Sequence, residues 1–133
     1  MPTTLPIAEE PSTSLVRKIR DGLPPAFFRE MADRLQISQE ALAQRLGLVA
    51  RTVLRRSQAG KPLSASDSEK LLRVARIWNA ARGLFTTDQA IAEWLKTPSS
   101  ALEGSAPLDL LDTDVGASEV EAYIRGLEYG NFQ

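Results

Sequence analysis

The sequence predicts an all-α protein: a helix-turn-helix bundle of the Cro/repressor type followed by a small second helical region. Three observations carry that reading. Apolar residues recur at helical spacing along nearly the whole chain, as in Phe28, Met31, Ala32 and Leu35, or Val120, Tyr123, Ile124 and Leu127. No stretch alternates polar and apolar residues as a half-buried strand would, and no segment repeats another. Ala43, Gly47 four residues later and Val53 six beyond that have the spacing of two short helices crossing steeply at a tight turn.

The elements follow in order. Met1 to Ser12 holds three prolines and two glutamates, which predicts a flexible tail over residues 1–13. Leu15, Val16 and Ile19 fit a short amphipathic helix stopped by Gly22. Pro24 and Pro25 open the next helix, since proline suits a first turn, and this is the scaffold for the motif. Ser38 is placed to cap the first helix of the motif, and Gln39 follows in its first turn, where a side chain and free amides can meet a phosphate. Gly47 can adopt the left-handed conformation that ends that helix, and Leu46, Leu48 and Val53 fill the wedge.

The second helix, Ala50 to Ser57, carries Arg51 and Arg55 one turn apart, with Thr52 and Arg56 beside them. Ala59 to Pro62 turns the chain, and Lys61 lies in that turn. Ser66-Asp67-Ser68-Glu69 has the pattern of a capping box and opens the longest helix, to about Arg82, with Leu71, Val74, Ala75, Trp78 and Ala81 on one stripe. Trp78 and Phe85 read as packing residues. Thr87 caps a helix containing Ala90, Ile91, Trp94 and Leu95 that ends before Pro98. Ser99 to Ala106 is a loop, Pro107 to Leu111 a helical turn, and Gly116 to Glu128 the last helix. The expected division is 14–65 for the helix-turn-helix domain and 66–133 for the second.

Charge divides the chain in the same sense. Ser14 to Arg82 holds fourteen Lys or Arg against six acids, and Gly83 to Gln133 two bases against nine acids, although the whole chain has a formal charge of only −1. A basic half followed by an acidic half predicts two different partners. The basic half suits nucleic acid. Gln39, Lys61 and flanking arginines would hold phosphates, while Arg51 or Arg55 could reach a guanine edge with two hydrogen bonds, assisted by Thr52 and Arg56. One such module makes few base contacts, so a dimer on a two-fold site is expected.

Other chemistries are excluded or disfavoured. With neither cysteine nor histidine, the chain lacks a thiol nucleophile, a disulfide framework and the commonest general base and metal ligand. Asp109, Asp112 and Asp114 do not have calcium-loop spacing and read as helix-start and interface charges. No enzyme activity, metal or cofactor is expected. No run approaches the roughly 20 apolar residues of a membrane span, and a cytoplasmic location follows as the default.

Several stretches together resemble the MbcA/ParS/Xre antitoxins: Arg51-Thr52-Val53-Leu54-Arg55-Arg56, Gly60-Lys61-Pro62-Leu63, Ser68 to Ala75, Ala90-x-x-x-Trp94-Leu95, Pro98, Ala101-Leu102-Glu103-Gly104, Pro107 to Thr113, Gly116, Val120 and Glu128-Tyr129-Gly130. They run from about residue 25 to the C-terminus, and their order and spacing make the match specific. The resemblance implies a type II toxin-antitoxin system, in which the N-terminal part binds operator DNA and represses the operon. The C-terminal part would grip a cognate RES-domain toxin that degrades, or transfers from, NAD. A homodimer inside a hetero-oligomeric toxin-antitoxin complex is the assembly expected.

A toxin that binds the phosphates of NAD needs a cationic pocket, which an acidic surface complements. Trp94, Leu102 and Leu110 near loops are candidate apolar anchors. At the tip, Glu128 and the carboxylate of Gln133 would overhang the toxin's cleft, with Tyr129 and Phe132 as anchors and Asn131 between them. The sequence departs from phage repressors at Arg56, where an apolar residue usually seats the second helix. Two alternatives fit the same residues: a stand-alone helix-turn-helix repressor whose acidic domain dimerises or binds another partner, and a protein-interaction module whose helix-turn-helix is only structural.

Overall fold

The computed structural model describes residues 5–130. Among them are seven α-helices, α1 (Ser12–Asp21), α2 (Pro25–Leu35), α3 (Gln39–Arg45), α4 (Ala50–Gln58), α5 (Ala65–Ala81), α6 (Asp88–Lys96) and α7 (Asp114–Glu128), with short 3-10 turns at Pro6–Glu9, Ser100–Leu102 and Pro107–Leu110. The only extended pairing among these residues is an isolated bridge between Ser99 and Ser105. The all-α reading is therefore correct.

The helix starts follow the physics of capping. Ser38, Thr87 and Thr113 each accept a hydrogen bond from the backbone N–H three residues on, at 3.0, 3.1 and 3.0 Å, satisfying a donor that the first turn leaves open. Helix α5 starts differently from the expectation. Its cap is Ser64, which accepts from the Asp67 N–H at 3.1 Å, not Ser66. Ser68, read as part of a capping box, is instead fully buried, and its hydroxyl accepts from the Leu23 N–H at 2.8 Å. That bond ties the connection between α1 and α2 to the middle of the fold.

Helix α5 is the spine of the molecule. Leu71, Val74, Ala75, Trp78 and Ala81 are all fully buried, and the helix packs against α1 on one side and α7 on another. Helix α2 packs on α3 and on α6, and α3 on α4. The buried residues form one continuous cluster from Leu5 through Val53 and Trp78 to Ile124. The basic and acidic halves thus share a core; within the basic half, the Arg34 guanidinium lies 5.5 Å from the Trp78 ring centroid.

The N-terminal segment corrects the flexible-tail expectation for its described part. Leu5 is buried and belongs to the core. The Asn79 side chain clamps its backbone in both directions, accepting from the Leu5 N–H and donating to the Leu5 carbonyl, each at 2.8 Å. Beyond the turn, the Lys18 ammonium and the Ser14 hydroxyl, 2.6 and 2.8 Å from the Glu10 carboxylate, hold its pKa below the ordinary glutamate value. Residues 12 and 13 already belong to α1, none of whose side chains is fully buried.

Candidate functional site

The basic surface is built on the α3–α4 turn. Gly47 has φ +69°, the left-handed conformation that ends α3, and Leu48 N–H closes the turn on the Ala43 carbonyl at 2.8 Å. Ala43, Leu46 and Val53 are fully buried and Leu48 nearly so, which seats α4 across α3. This is a helix-turn-helix, with α4 in the position of the helix that enters a major groove.

Arg51 and Arg55 are exposed on α4. Thr52, Arg55, Arg56, Ala59 and Lys61 line one shallow depression of about 340 Å³. Four of the six residues expected to meet DNA are therefore neighbours, with Arg51 on the adjoining turn. Gln39 stands apart at the start of α3, half-buried, and its side-chain oxygen is enclosed without a hydrogen-bond partner; its amide nitrogen is the group able to donate to a phosphate. Arg56 is partly committed to the fold, because its guanidinium donates to the Pro62 carbonyl at 3.0 Å. That bond explains an arginine at a normally apolar position: it fastens the turn after α4.

Two residues on this surface escape local spacing rules. Arg29 on α2 donates to the Ser57 hydroxyl of α4 at 3.1 Å, adding a cation beside the second helix. Val49, the residue before α4, is 67% exposed.

The acidic surface is built differently from the expectation. Leu102 is only 7% exposed and belongs to the core, and Leu110 is half-buried against it, so neither projects as a free anchor. They do come together, along with Ala101, Glu103, Ser105 and Glu119, around a groove of about 390 Å³. Leu102 and Leu110 supply its apolar lining, and Glu103 and Glu119 its charge. Trp94 lies elsewhere, half-buried in an aromatic row with ring centroids 5.7 Å from Phe85 and 5.9 Å from Tyr123. Glu128 is exposed, and Tyr129 is 78% exposed at the end of α7. Asn131, Phe132 and Gln133 lie outside the described residues. Val115, in the first turn of α7, is 76% exposed, and an isolated valine after Asp114 carries no periodic signal in the sequence.

The two surfaces are joined by ion pairs. Arg45 of α3 makes a two-pronged contact with Asp109, Nε to Oδ1 at 2.9 Å and Nη2 to Oδ2 at 3.2 Å. Arg73 of α5 meets the Asp114 carboxylate at 2.9 Å and donates to the Leu111 and Asp112 carbonyls at 3.4 and 3.3 Å. Part of the acidic charge is thus used inside the molecule, holding the segment that carries Leu110 against the helix-turn-helix. Among the described residues, no group of three or more His, Cys, Asp or Glu could hold a metal ion, and no helix is long and apolar enough to cross a membrane.

The architecture defines a class: a helix-turn-helix protein fused through a shared core to an acidic helical region with its own groove. Comparison with known proteins gives the family. Residues 14–76 match the antitoxin Xre-like helix-turn-helix domain, and residues 80–130 match the antitoxin Xre/MbcA/ParS C-terminal toxin-binding domain. Antitoxin Xre of Yersinia enterocolitica is 31% identical over 90% of this chain and 82% of its own. The Prs ADP-ribosylating antitoxin of Sphingobium sp. is 27% identical over 86% and 77%, and antitoxin Xre of Pseudomonas putida is 26% identical over 85% and 70%. The chain belongs to the Xre/MbcA/ParS antitoxin family, which sets it among antitoxins rather than stand-alone repressors.

Proposed function

We propose that this antitoxin neutralises a RES-domain toxin acting on NAD, covering the toxin's active site with residues 66–133, and represses its own operon through residues 14–65. The observation that carries the first part is the exposed pair Glu128 and Tyr129 at the end of α7. A carboxylate beside a protruding aromatic side chain suits a cationic, phosphate-binding cleft, because the charge matches the cleft and the ring supplies apolar contact. The name of the Sphingobium relative includes ADP-ribosylation, a chemistry that draws on NAD and supports that substrate class.

Operator binding uses Arg51, Thr52 and Arg55, with Lys61, Gln39 and part of Arg56 on phosphates. A homodimer places two α4 helices on a two-fold operator. The groove containing Leu102 and Leu110 forms a second contact, and the half-buried Trp94, apart from that groove, offers a third through its exposed edge. Asn131, Phe132 and Gln133, which follow in the sequence, are assigned to the same contact.

Deleting residues 129–133 tests this reading. In cells co-expressing the neighbouring RES-type toxin, the full chain restores growth and cellular NAD, whereas the shortened chain leaves NAD depleted and growth arrested. Tyr129 is so exposed that its loss does not open the core. Unimpaired growth with the shortened chain would sink the tip as the covering element.

A further inference from the structure

We propose that Val49 reads a thymine methyl group in the operator, an assignment that rests on the DNA reading above. Four other helices begin with a Ser or Thr whose hydroxyl accepts a first-turn N–H: Ser38, Ser64, Thr87 and Thr113. Helix α4 begins with Val49, which supplies no side-chain cap. Valine at a cap position forgoes the stabilisation a hydroxyl would give.

Among the described residues, no core packing repays that loss. The side chain is 67% exposed and lies outside the core cluster. Its neighbours identify a use. The exposed guanidinium of Arg51 is two residues on, and Thr52 and Arg55 follow on the same helix. In helix-turn-helix docking, the first residues of the second helix face base edges. The one apolar group those edges present in the major groove is the C5-methyl of thymine. A β-branched side chain with few rotamers meets such a methyl at little entropic cost. Val49 accordingly selects a thymine close to the base that Arg51 contacts.

The test uses a duplex of the region immediately upstream of the protein's own gene, amplified once with dTTP and once with dUTP, which removes every thymine methyl. Affinities of the full chain and of Val49→Ser are measured on both. Serine suits the exposed position and can cap α4, so the variant folds. Its melting temperature and salt dependence serve as checks.

The wild-type chain is expected to prefer the thymine duplex, and Val49→Ser to lose about fourfold of that preference for each methyl that Val49 contacts. Any general effect of uracil on duplex shape acts on both proteins equally and cancels in the comparison. If Val49→Ser keeps the wild-type preference, or the wild type has none while binding its own upstream DNA specifically, the Val49 assignment is overturned and DNA binding stands. If the wild type binds neither duplex better than an unrelated one, the DNA reading fails and the assignment with it.

Discussion

Changing Arg51 and Arg55 together to alanine is expected to lower affinity for the protein's own promoter DNA by about thirtyfold or more, since each good guanidinium contact to a base edge contributes about 1–3 kcal/mol. The slope of log affinity against log salt should flatten by roughly one for each arginine that meets a phosphate. Both side chains are exposed, so thermal stability should change by no more than about 0.5 kcal/mol. Neutralisation of the toxin should be retained, because its proposed contacts lie in the acidic half. A mobility-shift titration at two salt concentrations measures the effect. Unchanged binding would mean that α4 is not the DNA contact and would favour the interaction-module reading of this half.

Gly116→Ala is expected to be strongly destabilising. A Cβ built on Gly116 would lie 1.9 Å from the Leu110 carbonyl oxygen and 2.8 Å from its carbonyl carbon. Backbone cannot swing aside as a flexible side chain can, so the turn Pro107–Leu110 must separate from α7. Overpacking of this kind costs about 3 kcal/mol, a fall of roughly 10 °C in melting temperature for a domain of this size. Leu110 lines the groove, so toxin binding should weaken as well. Gly83→Ala is the matched control. Its added Cβ would meet only the Glu128 carboxylate, at the ordinary distance of 3.7 Å, and its melting temperature should stay close to that of the wild type. Equal stability of the two variants in a thermal melt would contradict the close approach of α7 to the turn.

Elements governed by near neighbours could be read from the sequence. Ser38 and Thr87 each cap a donor three residues away, and Gly47 ends α3 within its own turn, so their roles follow from local spacing. The apolar stripe from Leu71 to Ala81 likewise declared the buried face of α5. What escaped depends on partners far along the chain. Leu5 is a lone leucine among prolines until Asn79, 74 positions away, clamps its backbone. Arg45 and Asp109 are 64 positions apart, and no periodicity announces their pairing. Ser64 and Ser66 both suit a helix start, and the choice fell to Ser64 because Ser68 is drawn inward to Leu23.

The candidate surfaces divide the same way. Arg51 and Arg55 are legible because i, i+4 residues share a helix face. Leu102 is a large apolar residue in a loop, which reads equally as an anchor or as core, and only the tertiary fold places it at 7% exposure in the floor of a groove. Arg56 reads as a DNA contact, and only the fold adds that part of its guanidinium is held by the Pro62 carbonyl. Val115 and Val49 carry no pattern at all, and their meaning lies in being exposed.

The central claim is that the acidic half of this antitoxin holds a toxin encoded beside it. Co-expressing the full chain with the neighbouring gene product and purifying through a tag on the antitoxin tests it most directly. The account predicts a stoichiometric complex that stays together through size-exclusion chromatography and has no NAD-consuming activity. Elution of the two proteins apart, with the toxin active in their mixture, would contradict it.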